Sequence, residues 1–206
     1  VLRKACQEIG SLQSRVTDER KYAVSINLSC RQFSQNTLVK SIENILDETG
    51  FPPHNLKLEI TESVFFEHQD RAVVMLNQLR ENGTDINIDD FGTGYSNLGY
   101  LMKLPISALK IDRSFVSMID SEGRNDEIVR SIITLSRNLG LKVIAEGVET
   151  QSQLEALKRL NCESAQGYYF AAPMTFDALK EFLNHKETSN IPVSNFEDVS
   201  SLSIVQ

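Results

Sequence analysis

The sequence predicts an α/β fold built on a parallel sheet, and three observations carry that reading. Apolar residues switch repeatedly between helical spacing and short β-rich runs, the pattern of successive βα units. Glycines close the helical segments, and polar residues recur at the C-terminal ends of the strand candidates. The 206 residues, 41% of them hydrophobic, suffice for a single core that needs neither disulfides nor a structural metal.

Taken in order, the first element is a helix over residues 2–16, followed by a strand over 22–28. A helix over 36–49 stops at Gly50, and a strand follows at 56–60. The next pairs are a helix over 70–82 stopped by Gly83 with a strand at 86–90, then a strand at 108–112 before a helix over 125–139 and Gly140. A strand at 142–146 leads to Thr150 and Gln153, spaced as a capping box that opens a helix to Leu160. A sixth strand spans 165–170, and Thr175 opens a last amphipathic helix. The expected domain covers residues 1–185. Residues 186–206, rich in Ser and Asn, lose the repeating pattern and read as a polar tail, either packed through Ile191, Phe196 and Ile204 or flexible.

Several function classes drop out on composition. Cys6, Cys30 and Cys162 are odd in number and widely spaced, which suits a reducing, cytoplasmic setting and no disulfide framework. His54, His68 and His185 lack zinc-site spacing, so any metal must be held by oxygen. No apolar run approaches the roughly 18 residues of a membrane span. A net charge of −7 disfavours DNA or RNA polymers as partners.

The strand ends carry the chemistry. In a barrel of parallel strands, reacting groups sit on the rim formed by the C-terminal strand ends. Here those ends bear Asn27, Glu59, Asp89 with Asp90, Lys110, Glu146 and Gln166. Any one alone reads as a solvated charge or a salt bridge. Together, four carboxylates converging with the Asn27 amide on one rim would repel one another unless they held cations, and an all-oxygen set suits Mg²⁺ or Mn²⁺. Lys110 among them can neutralise charge or orient a water. The paired glycines of Asp89-Asp90-Phe91-Gly92-Thr93-Gly94-Tyr95-Ser96 permit a loop that closes on a ligand.

From the first helix through Pro173 the chain resembles the EAL-domain cyclic-di-GMP phosphodiesterases of bacteria. The resemblance is carried, in family order, by Asn27-Leu28-Ser29, Glu59-Ile60-Thr61-Glu62-Ser63, Asp89 through Ser96, Leu109-Lys110-Ile111-Asp112, Ala145-Glu146-Gly147-Val148-Glu149-Thr150 and Gln166-Gly167-Tyr168. It implies a TIM-like (β/α)8 barrel that hydrolyses cyclic di-GMP to linear pGpG with a two-metal site of Mg²⁺ or Mn²⁺. Asn27, Glu59, Asp89, Asp90 and Glu146 fall on its metal-coordinating positions. Lys110 and Gln166 fall near the attacking water, Asp90 and Gln166 also at the substrate, and Glu149 on the position that holds the loop after Asp90. Glu62 supports the site or lies on an exposed loop. Dimerisation and flanking sensor or cyclase domains are further expectations of the resemblance.

The Glu-Ala-Leu strand that names the family is missing. Glu155-Ala156-Leu157 spells it, but late and inside a helical segment, as a coincidence of helix formers. Six strand candidates against the eight of a closed barrel lead to the same expectation: an incomplete barrel whose N-terminal strands lie upstream of Val1. Another metal-dependent TIM-barrel enzyme would explain the rim carboxylates but not the ordered motifs, which leaves two functions in competition. One is phosphodiesterase catalysis; the other is a catalytically degenerate cyclic-di-GMP receptor or interaction scaffold.

Overall fold

The computed structural model describes residues 1–13, 22–62, 69–94, 98–119, 126–188 and 201–203. Its strands are β1 (Ala23–Asn27), β2 (Leu56–Thr61), β3 (Asp85–Phe91), β4 (Ala108–Ile111), β5 (Lys142–Ala145), β6 (Ser164–Ala165) and β7 (Ser201–Ser203). The helices are α1 (Leu2–Gln13), α2 (Cys30–Phe33), α3 (Leu38–Thr49), α4 (Gln69–Glu81), α5 (Leu98–Leu101), α6 (Arg113–Ser117), α7 (Glu127–Asn138), α8 (Gln151–Arg159) and α9 (Phe176–Thr188).

All neighbouring strands pair in parallel, in the order β6-β5-β4-β3-β2-β1-β7. From β1 to β6 the spatial order follows the chain, as it must when each parallel step is closed by a crossover on the same side. The sheet is a curled half-barrel, the expected incomplete (β/α)8 form with six strands in sequence order. A seventh strand, β7, comes from the segment read as a tail and pairs Ser201 with Ala23, Leu202 with Val24 and Ser203 with Ser25.

The two faces of the sheet differ in chemistry. Leu56, Leu58 and Ile60 of β2, Ile86 and Ile88 of β3, and Leu109 and Ile111 of β4 are fully buried. They form one core with Ile9 of α1, Ile42 of α3, Leu76 of α4, Val129 of α7 and Leu157 of α8. Each such side chain contributes about 1.5–3 kcal/mol by leaving water. Strand alternation then sends Glu59, Asn87 and Asp89 to the other, concave face. The sequence of β3, with Ile86 and Ile88 set between Asp85, Asn87 and Asp89, displays that division.

Most helix boundaries match the sequence pattern. Thr150 caps α8 in a true capping box with Gln153, and Gly50 closes α3 in the left-handed region. The reading missed α2, although Ser29 and Gln32 form a second capping box there. It missed α5 and α6 too, because four or five residues are too few to show a period. The strand expected over 165–170 ends at Ala165. The chain turns instead: Val148 N–H donates to the Gln166 carbonyl, Tyr169 N–H to Val148 O, and Phe170 N–H to Gly167 O. Val16, Asn125, Ile191, Phe196 and Ile204, which the reading assigned to helices or to packing, lie outside the described residues.

Candidate metal centre on the strand-end rim

At the centre of the concave face is Lys110 of β4. Its Nζ lies 2.6 Å from Glu59 Oε2, 2.9 Å from Asp89 Oδ1 and 2.5 Å from Glu146 Oε1. Lysine and Glu59 are each 3% exposed in their side chains, so this is a buried ion cluster fed by β2, β3, β4 and the end of β5. Burial alone would pull the ammonium pKa down. Glu59, Glu146 and Asp89 outweigh it and hold Lys110 above the ordinary lysine value. Glu146 goes the other way: burial pushes it up to about 7, against the pull of Lys110 and with the help of Asp89 and Glu59. Gln166, just past β6, donates from Nε2 to Glu146 Oε1 at 2.6 Å and fixes the direction of that carboxylate.

Two successive residues of one strand normally face opposite ways. Asp89 and Asp90 nonetheless join one site, because the β3–β4 register shifts between Ile88 and Phe91 and Asp90 takes a left-handed φ of 52°. Asp tolerates that conformation better than most residues. Asp89, Asp90 and Glu146 can then bring one carboxylate oxygen each to within 4.8 Å of one another. The donor set fits a hard divalent cation: three carboxylates converge, and Asp89 Oδ1 is buried without an aligned hydrogen bond even though Lys110 is in ionic contact with it. The cluster can hold a divalent metal ion.

Known proteins resemble this chain in sequence and fold. A profile of the EAL domain matches residues 1–173. The chain belongs to the EAL-domain family. It is 42% identical over 183 residues to the cyclic di-GMP phosphodiesterase NbdA of Pseudomonas aeruginosa, covering 89% of this chain and 23% of that protein. It is 46% identical over 156 residues to the bifunctional diguanylate cyclase/cyclic di-GMP phosphodiesterase MucR of the same organism, covering 76% and 23%. The chain thus spans about a quarter of the length of these relatives. The solved PaMucR phosphodiesterase complex with c-di-GMP superposes with a TM-score of 0.80 at 42% identity, over 86% of this chain and 71% of that one. The EAL domain of Mycobacterium smegmatis DcpA gives 0.83 at 38% identity, over 89% and 82%.

In this EAL domain the loop after Asp90 is gripped from β2. Glu62 is buried, and its Oε1 accepts from Gly92 N–H at 2.9 Å. Gly94 packs so close that a Cβ there would stand 2.7 Å from Glu62 Oε2. Gly92 has a φ of 95° and would set a Cβ 2.9 Å from the Phe115 ring. Both glycines are therefore required by contact with the loop's supports. Glu149, expected to hold this loop, is exposed at the start of α8, where its backbone N–H donates to Gln153. The carboxylate that grips the described part of the loop is that of Glu62, which resolves the two readings of that residue in favour of support.

The EAL domain's rim brings together Glu59, Asp89, Asp90, Lys110, Glu146 and Gln166. Asn27 stands at the end of β1 in register with Glu59, exposed and outside the hydrogen-bonded cluster. Sequence reasoning named no role for Asp112. Its carboxylate caps α6 by accepting from Ser114 N–H at 2.9 Å and neighbours Asp90 closely enough for each to shift the other's titration. Burial acts to raise Asp112, but the bonds from Ser114 and Asp90 bring it below the usual carboxylate range. Burial, Asp89 and Asp112 all raise Asp90. The first proton taken up by the pair therefore goes to Asp90. The signal available in the sequence was Asp112 followed two residues on by Ser114, an N-cap pattern. Among the described residues no helix is long and apolar enough to cross a membrane.

Proposed function

We propose that this chain forms the bulk of the catalytic domain of a cyclic-di-GMP phosphodiesterase that opens one phosphodiester bond to give linear pGpG. The observation that carries the proposal is the convergence of Asp89, Asp90 and Glu146 within 4.8 Å beside a buried lysine. In the full reading, Asn27, Glu59, Asp89, Asp90 and Glu146 hold two divalent cations, Mg²⁺ or Mn²⁺. Bound there, the cations would neutralise phosphate charge and supply a water activated for attack at neutral pH.

The remaining work falls to side chains of this chain. Lys110 stays protonated and donates to the attacking water or a phosphate oxygen, while Gln166 keeps Glu146 aimed at the cluster. Asp90 faces the substrate beside Asp112, the cap of α6. As the water oxygen bonds to phosphorus the P–O3′ bond breaks, and the proton that the water gives up ends on O3′, leaving a 5′-phosphate and a free 3′-hydroxyl. Glu62 holds the Gly92–Gly94 backbone so that Asp89 and Asp90 stay aligned, and Glu149 at the start of α8 assists in holding the loop that follows Asp90.

A receptor that binds cyclic di-GMP without cleaving it is the second reading. One observation favours it: the sheet position beside β1 is filled by Ser201, Leu202 and Ser203, none of which can supply a carboxylate to the centre. Chromatography of cyclic di-GMP incubated with the protein and Mn²⁺ separates the two. Formation of pGpG that Glu146→Gln abolishes supports the enzyme; tight binding of intact cyclic di-GMP with no product supports the receptor.

The surroundings belong to the same proposal. Coverage of about a quarter of relatives that include a bifunctional cyclase supports flanking sensor or cyclase domains. Exposed Leu98 and Met102, just beyond the Asp89 loop, support a homodimer formed there. The free thiols of Cys6, Cys30 and Cys162 suit a cytoplasmic setting, and the charge of −7 argues against a nucleic-acid polymer as partner.

A further inference from the structure

Asn87 has no part in the chemistry above. It lies on β3 two residues before Asp89, is 2% exposed, and its Nδ2 is buried with no hydrogen-bond partner. A buried donor left unpaired costs stability, and asparagine is depleted in strands to begin with. The flanking Ile86 and Ile88 are both fully buried, so an apolar or small residue would be the economical choice for packing alone. A group of this kind calls for a specific explanation.

Its position supplies one. Register pairs Asn87 with Glu59 on β2 and with Ala108 on β4. Alternation puts its side chain on the concave face, below Asp89 and level with Glu59. Adjacent strands are about 4.8 Å apart and alternate residues of one strand about 6.6 Å apart, so the carboxamide reaches toward both carboxylates. Ala108 offers it no polar partner. Glu59 gives Oε2 to Lys110, and a cation entering the cluster must compete with that ammonium for the same carboxylate.

We propose that Asn87 is a positioning residue of the metal centre: its Nδ2–H donates to the Glu59 carboxylate when a divalent cation engages it, fixing the carboxylate's orientation in Lys110's stead. This rests on the reading of the cluster as a metal site. Hydrogen bonds to metal-ligating carboxylates typically change metal affinity about 10–100-fold when removed.

The test is calorimetric titration of Mn²⁺ into wild type, Asn87→Ala, Asn87→Ser and Asp89→Ala, with thermal unfolding of each without metal. The expected result is an Asn87→Ala protein at least as stable as wild type that binds Mn²⁺ roughly tenfold or more weakly. Asn87→Ser, which keeps a donor, should recover part of the loss. Unchanged Mn²⁺ affinity in both Asn87 variants overturns the inference, as does lower stability with unchanged affinity, the mark of a purely structural residue. A wild-type protein that binds no Mn²⁺, or an Asp89→Ala variant that binds as wild type does, overturns the metal reading itself.

Discussion

Replacing Lys110 by methionine removes the charge at the centre of the site while keeping an apolar stem of similar length. Three carboxylates, from Glu59, Asp89 and Glu146, then face one another without the ammonium that contacts all three within 2.9 Å. Breaking a buried ion pair by deleting one partner costs about 3–5 kcal/mol. Against a total stability of about 5–15 kcal/mol this is a large fraction. For a chain of this size it lowers the thermal midpoint by on the order of 10 °C. Because a divalent cation can serve as counter-charge, Mn²⁺ at 100 times its dissociation constant should return about 2.7 kcal/mol. Mn²⁺ should therefore raise the midpoint of Lys110→Met by more than that of wild type, in which lysine competes for the carboxylates. The assay is differential scanning calorimetry of both proteins with and without Mn²⁺. A variant as stable as wild type in the absence of metal, or one indifferent to Mn²⁺, would refute the reasoning.

Asp89→Ala removes a charged donor from the cluster and should weaken Mn²⁺ binding at least tenfold by calorimetric titration. For Glu146, held near pH 7 against about 4.5 in the unfolded chain, the native state binds its proton more tightly. That contribution to stability is therefore lost as pH rises from about 4.5 to about 7, while Mn²⁺, which competes with the proton, binds more tightly across the same window. Midpoints and titrations at both ends should show a pH slope in wild type that is shallower in Glu146→Gln. At Gly167, an added Cβ would sit 2.3 Å from the Val148 backbone, so Gly167→Ala should displace Gln166 from Glu146, cut turnover by roughly 100-fold in a pGpG assay and weaken Mn²⁺ binding by calorimetric titration. A form extended upstream to carry a Glu-Ala-Leu strand should outpace this chain in pGpG release; equal, robust turnover would show that the strand is dispensable.

How much of this was readable beforehand differs from residue to residue. The six parallel strands were legible because β3 and its neighbours alternate isoleucine or leucine with polar residues, and because Gly50 and Gly83 end helices that precede strands. Glu59, Lys110 and Glu146 were legible for the same reason, as polar groups at strand ends. Asp90 was named, but its means of reaching the site was hidden, since a register shift and a left-handed φ leave no periodic trace. Glu62 and Asp112 act through one contact each, with Gly92 and Asp90, and such pairings depend on tertiary proximity. The resemblance assigned Glu149 to the loop after Asp90; Glu149 stands exposed at the start of α8, and within the described residues Glu62 holds the Gly92 end of that loop. β7 was illegible because three residues paired at a sheet edge carry too short a pattern.

The most direct measurement is a crystal of the protein grown with Mn²⁺ and cyclic di-GMP, examined by anomalous scattering at the manganese edge. The account predicts a manganese peak among Asp89, Asp90 and Glu146 at ordinary metal–oxygen distances of about 2.1 Å, with Lys110 drawn away from at least one of its three carboxylates and a phosphodiester of the ligand against the metal. Saturating Mn²⁺ with no peak at that position, or a peak held by other residues while Lys110 keeps all three contacts, would contradict it.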